Sequence, residues 1–147
     1  MDAESSPRIT LPPVTLRQAE ALVGLAYVPG TFDCAHLAVL AQEYLFGRQV
    51  RLPNTGLHPQ GARGQAAAIR RHCDQLATHV EEPQTGDVVL FIEEVEGGVR
   101  WHIGTVILEL GQRWVLHTTQ AQGASVLQRM DDCLRAGLWV EGFYRWR

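Results

Sequence analysis

The sequence predicts an α+β fold, with N-terminal helices packed on a mostly antiparallel sheet of five to six strands. In the N-terminal half, apolar residues recur at helical spacing. In the C-terminal half, short apolar runs alternate with glycine-containing turns, among them Glu96-Gly97-Gly98 and Gly111-Gln112. The sequence shows no internal repeat and no second domain. Residues 1–13 are therefore predicted as a flexible lead and residues 14–147 as one domain.

Composition and charge narrow the classes of protein to be considered. With 46% hydrophobic and 20% charged residues, the chain can form an ordinary globular core. The formal net charge of −3, without a basic run, argues against nucleic acid as a partner. No apolar stretch is long enough to span a membrane. The acidic N-terminus lacks the apolar segment of a signal peptide, so synthesis in the cytoplasm without secretion by that route is expected.

The cysteines give no sign of a structural cross-link or a metal centre. Cys34, Cys73 and Cys133 are far apart and include no closely spaced pair. This pattern predicts neither a disulfide framework nor a zinc knuckle. It is typical of a protein that folds in a reducing compartment. No cofactor and no metal is predicted.

Three helices are predicted in the N-terminal half. Thr15 and Gln18 have the spacing of a capping box, and the helix that they begin is predicted to continue to Ala26, where Val28-Pro29-Gly30 ends it. The third predicted helix runs from about Ala62 to Thr78.

The second helix is the important one for function. Asp33 is a good N-cap residue, and the helix is predicted to run from Asp33 to about Phe46, with Gly47 as its C-terminal stop. Cys34 then lies in the first turn on the apolar face. A helix N-terminus is expected to lower the pKa of such a thiol, because its unpaired N–H groups favour the thiolate. A small buried apolar residue is the alternative role for Cys34.

Two histidines fall on neighbouring strands of the predicted sheet. The expected strands and one short helix are Val88–Ile92, Val99–Leu108, Arg113–Thr118, Ala124–Arg129, Asp131–Ala136 (the helix) and Leu138–Trp146. His102 and His117 lie on the second and third strands, and adjacent antiparallel strands can present both side chains on one face.

A thiol at a helix start and histidines on the sheet are the groups that a cysteine nucleophile and its base require. Each residue has an ordinary alternative, since His102 can be a packed strand residue and His117 a surface residue. Cys34, His102 and His117 could also bind zinc, although no closely spaced ligand pair supports this.

Five short motifs, taken in order, resemble the NlpC-type cell-wall peptidases, a family of papain-like cysteine peptidases. The resemblance extends over about residues 15 to 146. The motifs are Ala26-Tyr27-Val28-Pro29-Gly30, Phe32-Asp33-Cys34, Gly86-Asp87-Val88-Val89-Leu90-Phe91, His102-Ile103-Gly104 and Leu116-His117.

The resemblance implies a role for each of five residues. Cys34 would be the nucleophile, His102 the general base and acid, and His117 the group that orients His102. Tyr27 would lie near the oxyanion site, and Asp33 would help to bind a substrate amine in addition to capping the helix. Members of the family cleave peptide bonds in the stem peptides of peptidoglycan, often next to a D-amino acid, through a thioester intermediate that water hydrolyses.

The chain departs from the family pattern directly after the nucleophile. The family usually continues Asp-Cys-Ser-Gly-Leu, whereas this chain has Ala35-His36 in place of Ser-Gly. The hydroxyl beside the nucleophile is lost and an imidazole stands where glycine is usual. Two interpretations of His36 remain open: it reshapes a substrate subsite, or it is a partly exposed helix residue.

The end of the second helix suggests a biological setting. Tyr44-Leu45-Phe46-Gly47, followed by Val50-Arg51-Leu52-Pro53, resembles the phage-tail branch of the family. This resemblance implies a tail-tip or tail-assembly peptidase that is carried on the virion tail and opens peptidoglycan at the periplasm or cell wall as DNA enters. Other tail-tip proteins would be its partners. Two alternatives are an injected antibacterial amidase effector and a structural tail component with weak or no activity.

Overall fold

The first helix is shorter than the sequence predicts. The computed structural model describes residues 13–50 and 76–147. Within these ranges, helix α1 spans Leu16–Ala19 and continues as a 3-10 turn over Glu20–Leu22. The capping box is confirmed, because the Thr15 hydroxyl accepts from the backbone N–H of Gln18 while the Gln18 side chain accepts from that of Thr15.

The chain after Leu22 bonds to a distant segment instead of continuing the helix. The backbone N–H of Gly24 donates to Ser125, and that of Tyr27 donates to Gly123, each at 2.9 Å. Beyond them, Pro29 and Gly30 close a tight hairpin in which Val28 and Phe32 exchange backbone hydrogen bonds of 2.8 and 2.7 Å. The predicted helix to Ala26 is therefore wrong beyond Leu22, because these backbone groups are satisfied elsewhere.

Helix α2 spans Cys34–Phe46 and agrees with the prediction. Asp33 caps its N-terminus, and Gly47 adopts the left-handed conformation with φ of 63° at its C-terminus. The hairpin at Pro29 and Gly30 leads directly into Asp33, so the turn and the cap together determine where Cys34 lies.

Within the described ranges, six strands form one sheet, and all neighbouring strands pair antiparallel. Their order across the sheet is β1-β6-β2-β3-β4-β5. A short helix, α3, spans Met130–Arg135. The strands are β1 (Ala77–Val80), β2 (Val88–Val95), β3 (Gly98–Glu109), β4 (Gln112–Thr118), β5 (Ser125–Arg129) and β6 (Leu138–Trp146).

Five strands and α3 lie where the sequence predicts them, and β1 was not predicted. The third predicted helix, Ala62–Thr78, lies mostly outside the described residues. Its last two residues, Ala77 and Thr78, belong to β1 and pair with Trp146 and Arg145. The helix prediction is wrong for these two residues, because pairing with the edge of β6 overrides local propensity. The predicted lead over residues 1–13 also lies outside the described residues except for Pro13.

The sheet has an apolar cluster on each face. Because strand side chains alternate, neighbouring residues of one strand belong to different clusters. On one face, Leu90 and Ile103 pack with Ala38 of α2. On the other face, Phe91 packs in a cluster with Cys133 of α3. Helices α2 and α3 thus pack on opposite faces of the sheet.

The Gly86-Asp87 motif supports the start of β2. Gly86 has φ of 98°, and a Cβ there would lie 3.0 Å from the Phe46 ring. The buried Asp87 carboxylate accepts two hydrogen bonds from the Arg145 guanidinium, at 3.0 and 2.8 Å. These contacts tie β2 to α2 and to β6, so the role of the motif in this chain is structural.

Candidate active site

Cys34 is the first residue of α2 and opens onto a small cleft. Its side chain is half-buried. Like Trp101, it packs against the apolar cluster that contains Ala38, Leu90 and Ile103. The cleft has a volume of about 50 Å³. The residues that line it come from the loop before α2, from α2 itself, from the β2–β3 hairpin and from the end of β4. They are Tyr27, Cys34, Glu93, Arg100, Trp101, His102, Thr118, Thr119 and Gln120.

The two predicted histidines form a bonded pair on the Phe91 face of the sheet, whereas Trp101 and Ile103, which flank His102 on β3, lie on the face that packs on α2. His102 Nε2 and His117 Nδ1 are 2.8 Å apart, and the ring centroids are separated by 5.0 Å. Both side chains are buried, with only 5% and 1% of their surface exposed. The β3–β4 pairing of Thr105 with Leu116 brings Gly104, two residues along the strand from His102, close to His117. The prediction that the sheet presents both histidines on one face is confirmed.

The pair is held by the residues around it. The Phe91 ring lies opposite His102 on β2 and stacks on its imidazole, with centroids 5.9 Å apart and ring planes 21° apart. Gly104 leaves room for His117, since a Cβ at position 104 would lie 3.3 Å from His117 Cβ. The same Cβ would lie 2.5 Å from Val115 Cγ1. The glycine of the His-Ile-Gly motif is thus required by the close approach of β4.

A further polar residue, Gln128 on β5, completes the chain of hydrogen bonds. Its Oε1 lies 2.7 Å from His117 Nε2. The buried thiol of Cys133 lies 3.8 Å from the same nitrogen and donates to Gln128 Oε1 at 3.9 Å. Sequence reasoning missed Gln128, because only the pairing of β4 with β5 brings it to His117.

Burial keeps both imidazoles neutral. The pKa of His102 lies well below 6.5 because of burial, with smaller contributions from His117 and from the Arg100 guanidinium. Burial also lowers the pKa of His117, and the hydrogen bond to Gln128 opposes this effect in part. Each ring therefore carries one proton at neutral pH, and one nitrogen of each has a free lone pair.

The Cys34 thiol behaves differently from the sequence-based expectation. Its pKa is raised to about 12, first by burial and then by the neighbouring Asp33 carboxylate. Backbone N–H groups of Ile103 and Ala35 act in the opposite direction but do not prevail. The expected net lowering of this pKa is thus wrong, because burial, the largest cause, and the negative charge of Asp33 outweigh the backbone N–H groups at the helix start, which do lower it.

The cap explains the unusual residue at position 36. Asp33 Oδ1 accepts from the backbone N–H groups of Ala35 and His36, at 3.1 and 3.2 Å. The His36 ring lies over the same carboxylate, with Nδ1 2.8 Å from Oδ1. His36 thus takes the third position of a capping box and is a partly exposed helix residue. Asp33 is fully buried in this cap, and its predicted contact with a substrate amine stays a prediction.

Tyr27 lines the same cleft as Cys34, and its predicted place near an oxyanion site stays a prediction. The pKa of its phenol is raised by burial and by the nearby Cys34 and Asp33, and lowered by Arg100. The group therefore keeps its proton at neutral pH and is available as an O–H donor in the cleft.

Sequence reasoning also missed a charged pair in the cleft. Arg100 donates to Glu93 Oε2 from Nη2 at 2.6 Å and from Nε at 3.1 Å, and both side chains are about one-third exposed or less. A signal was present in the sequence, because a tight turn at Glu96-Gly97 places residues 93 and 100 opposite each other on β2 and β3.

The described residues do not gather a metal site. Within ranges 13–50 and 76–147, no three His, Cys, Asp or Glu side chains are placed to hold a metal ion. His102 and His117 direct nitrogens at each other, which makes the zinc alternative a poor description of this cluster.

No helix in the described ranges is long and apolar enough to cross a membrane. Comparison of the chain with protein-family models, curated proteins and solved structures found no match.

The lowered histidine pKa values predict a pH-dependent stability. Between the lowered folded-state pKa and the ordinary value near 6.5, the unfolded chain binds protons that the folded chain does not, so stability falls as the pH decreases. We expect the free energy of unfolding to decrease from pH 7 to pH 5 by up to about 1.4 kcal/mol per pH unit for each histidine. Urea unfolding at several pH values measures this.

The double variant His102→Gln/His117→Gln separates this effect from other titrations. Its unfolding free energy should vary less with pH over the same range, because the two depressed groups are gone. A slope equal to that of the wild type would show that these histidines are not its source.

Proposed function

We propose that this chain is a cysteine peptidase or amidase that cleaves stem-peptide bonds of peptidoglycan, on a papain-like fold of the NlpC type. The observation that carries the proposal is a bonded His102–His117 pair, with His102 lining one cleft with Cys34. The antiparallel sheet, the Cys34 helix start and the order of motifs along the chain all support it.

The resting site holds a neutral thiol and a neutral imidazole. With the thiol pKa at about 12 and the His102 pKa well below 6.5, the thiolate–imidazolium pair is a minor species at neutral pH. The nucleophile is therefore formed during the reaction. The Cys34 Sγ–H bond breaks, its proton moves to the free nitrogen of His102, and Sγ bonds to the substrate carbonyl carbon.

The remaining steps return the site to its starting state. The tetrahedral intermediate collapses as the His102 imidazolium donates its proton to the leaving amine, which produces a thioester on Cys34. His102 then accepts a proton from water, whose oxygen attacks the thioester carbon. Return of that proton to sulfur releases the carboxylic acid product and regenerates the thiol. His117 holds the His102 ring throughout.

Other cleft residues are suited to the substrate and to the developing charge. The Tyr27 O–H and the backbone N–H of Cys34 are the proposed donors to the oxyanion. Arg100 and Glu93 place a cation and an anion beside the nucleophile. Stem peptides carry ammonium and carboxylate groups, so a cleft with both charges suits this class of substrate.

The biological setting that we propose is a phage or prophage tail. The Tyr44-Leu45-Phe46-Gly47 segment at the end of α2 supports it by its resemblance to the phage-tail branch. Made in the host cytoplasm, the protein would be carried on the virion tail with other tail-tip proteins. It would act locally on peptidoglycan, at the periplasm or cell wall, as DNA enters.

Digestion of purified peptidoglycan tests the proposal. Wild-type protein should release soluble peptide fragments with new amino termini, detected by mass spectrometry. Cys34→Ala and His102→Ala should each reduce the rate at least about 1000-fold, the scale of loss on removing a nucleophile or its base. His79→Ala, which removes an exposed histidine on β1, is the matched control and should retain the activity.

A structural tail component is the second candidate, because the Cys34 thiol is strongly protonated and Ala35-His36 replaces the usual Ser-Gly. Equal inactivity of the wild type and Cys34→Ala toward peptidoglycan, together with slow alkylation of Cys34 by iodoacetamide, would favour that role. If the wild type digests peptidoglycan and Cys34→Ala does not, a solely structural role is excluded.

A further inference from the structure

The Gln128 side chain limits the protonation pattern of both site histidines. Its Oε1 faces His117 Nε2 at 2.7 Å. An amide oxygen accepts hydrogen bonds and cannot donate them, so His117 Nε2 must carry a proton. The Cys133 thiol donates to the same Oε1, which agrees with an amide oxygen at this position.

The position of the proton on His117 in turn determines which nitrogen of His102 carries a proton. With its single proton on Nε2, neutral His117 has a lone pair on Nδ1. This lone pair faces His102 Nε2 at 2.8 Å, so His102 Nε2 must be the donor. His102 is also neutral, because burial lowers its pKa. Its Nδ1 therefore carries a lone pair, the one ring lone pair of the two histidines that these hydrogen bonds leave unused.

We propose that Gln128 is a positioning residue, which selects the Nε2–H tautomers of His117 and His102 and so leaves His102 Nδ1 free as the base. The inference rests on the proposed function. The opposite amide orientation would place the NH₂ group against His117 Nε2. It would then force the proton onto His117 Nδ1 and reverse the bond to His102. His102 would carry its proton on Nδ1 and could not act as the base.

Histidine ¹⁵N NMR tests the tautomers without a substrate. In the wild type at pH 8, His102 and His117 should both show the Nε2–H pattern, with assignment by the variants His102→Gln and His117→Gln. Gln128→Leu removes the acceptor at similar size and should give a mixture of tautomers at both residues. Gln128→Glu retains an acceptor and should keep the wild-type pattern. Gln112→Leu, the same change at an exposed site on β4, is the matched control.

Catalysis provides the second readout. Gln128→Leu should lower kcat on peptidoglycan fragments by about 10- to 100-fold, the range for loss of the hydrogen-bond partner that orients a metal-bound histidine. KM should change little, and Gln128→Glu should restore much of kcat. A solely structural role would leave the tautomers unchanged and would not be rescued by the charged residue.

Two results would overturn the proposal. One is an Nδ1–H pattern for His117 in the wild type, and the other is an identical tautomer pattern in the wild type and Gln128→Leu. Inactivity of the wild type toward peptidoglycan is a different result. It would overturn the proposed function, whereas the tautomer measurements would still decide the role of Gln128.

Discussion

Gly104→Ala is expected to destabilise the protein by about 2–3 kcal/mol, the upper part of the range for overpacking a core. The new methyl group would lie 2.5 Å from Val115 Cγ1, closer than two carbon atoms can approach. The site lies on β3 inside the sheet, so relief requires β4 to move away. Because His117 Cβ would lie 3.3 Å from the new methyl, the same movement should lengthen the His117–His102 hydrogen bond. Activity should therefore fall together with stability.

Urea unfolding measures the loss of stability, and a double variant identifies its cause. Val115→Ala removes the methyl group that clashes, so Gly104→Ala/Val115→Ala should be more stable than the sum of the single effects implies. Gly142→Ala is the matched strand control. A Cβ at Gly142 would first meet the imidazole of the exposed His79, at 3.3 Å, and that side chain can move away. If Gly104→Ala unfolds at the urea concentration of the wild type, the packing argument is wrong.

Local signals predicted α2 correctly because all of its determinants lie in one segment. Asp33 supplies the cap, Gly47 the left-handed stop, and the residues between them favour helix. The β2–β3 hairpin was predictable for the same reason, since Glu96 and Gly97 form its turn. The first helix was overextended because Gly24 and Tyr27 bond to residues about 100 positions away. Sequence spacing carries no information on such pairing.

The residues of the candidate site also divide into those that the sequence could indicate and one that depends on pairing between distant segments. Cys34, His102 and His117 could be selected from the sequence, since residue type and strand order allowed a nucleophile with two facing imidazoles and the resemblance of the ordered motifs favoured it. Gln128 could not, because its relation to His117 depends on the register of β4 with β5. The thiol pKa was predicted in the wrong direction for an energetic reason. Burial, which is the largest cause, and the negative charge of the Asp33 carboxylate raise the pKa by more than the backbone N–H groups lower it.

The last prediction concerns this charge. Asp33→Asn is expected to increase the thiolate fraction of Cys34 about tenfold at a given pH, the change that a decrease of one pKa unit produces. Asparagine can cap a helix about as well as aspartate, so the N–H groups of Ala35 and His36 keep an acceptor. Burial, the larger cause, remains, and the pKa stays above that of a free thiol. The variant thus isolates the electrostatic effect of the carboxylate.

Iodoacetamide alkylation of Cys34, followed site by site with mass spectrometry between pH 7 and pH 9, measures the effect. In the wild type the rate should increase about tenfold per pH unit without a plateau, because the pKa is about 12. The Asp33→Asn rates should form a parallel line about one pH unit lower. Asp131→Asn, which removes an exposed charge in α3, should match the wild type.

A change in the access of iodoacetamide to Cys34 would also raise the rate at every pH. The rates are therefore followed up to pH 11.5, because a lower pKa makes the Asp33→Asn rate level off at about pH 11, whereas a change in access leaves both lines still rising there. If the two lines stay parallel up to pH 11.5, the Asp33 carboxylate is not a cause of the raised pKa.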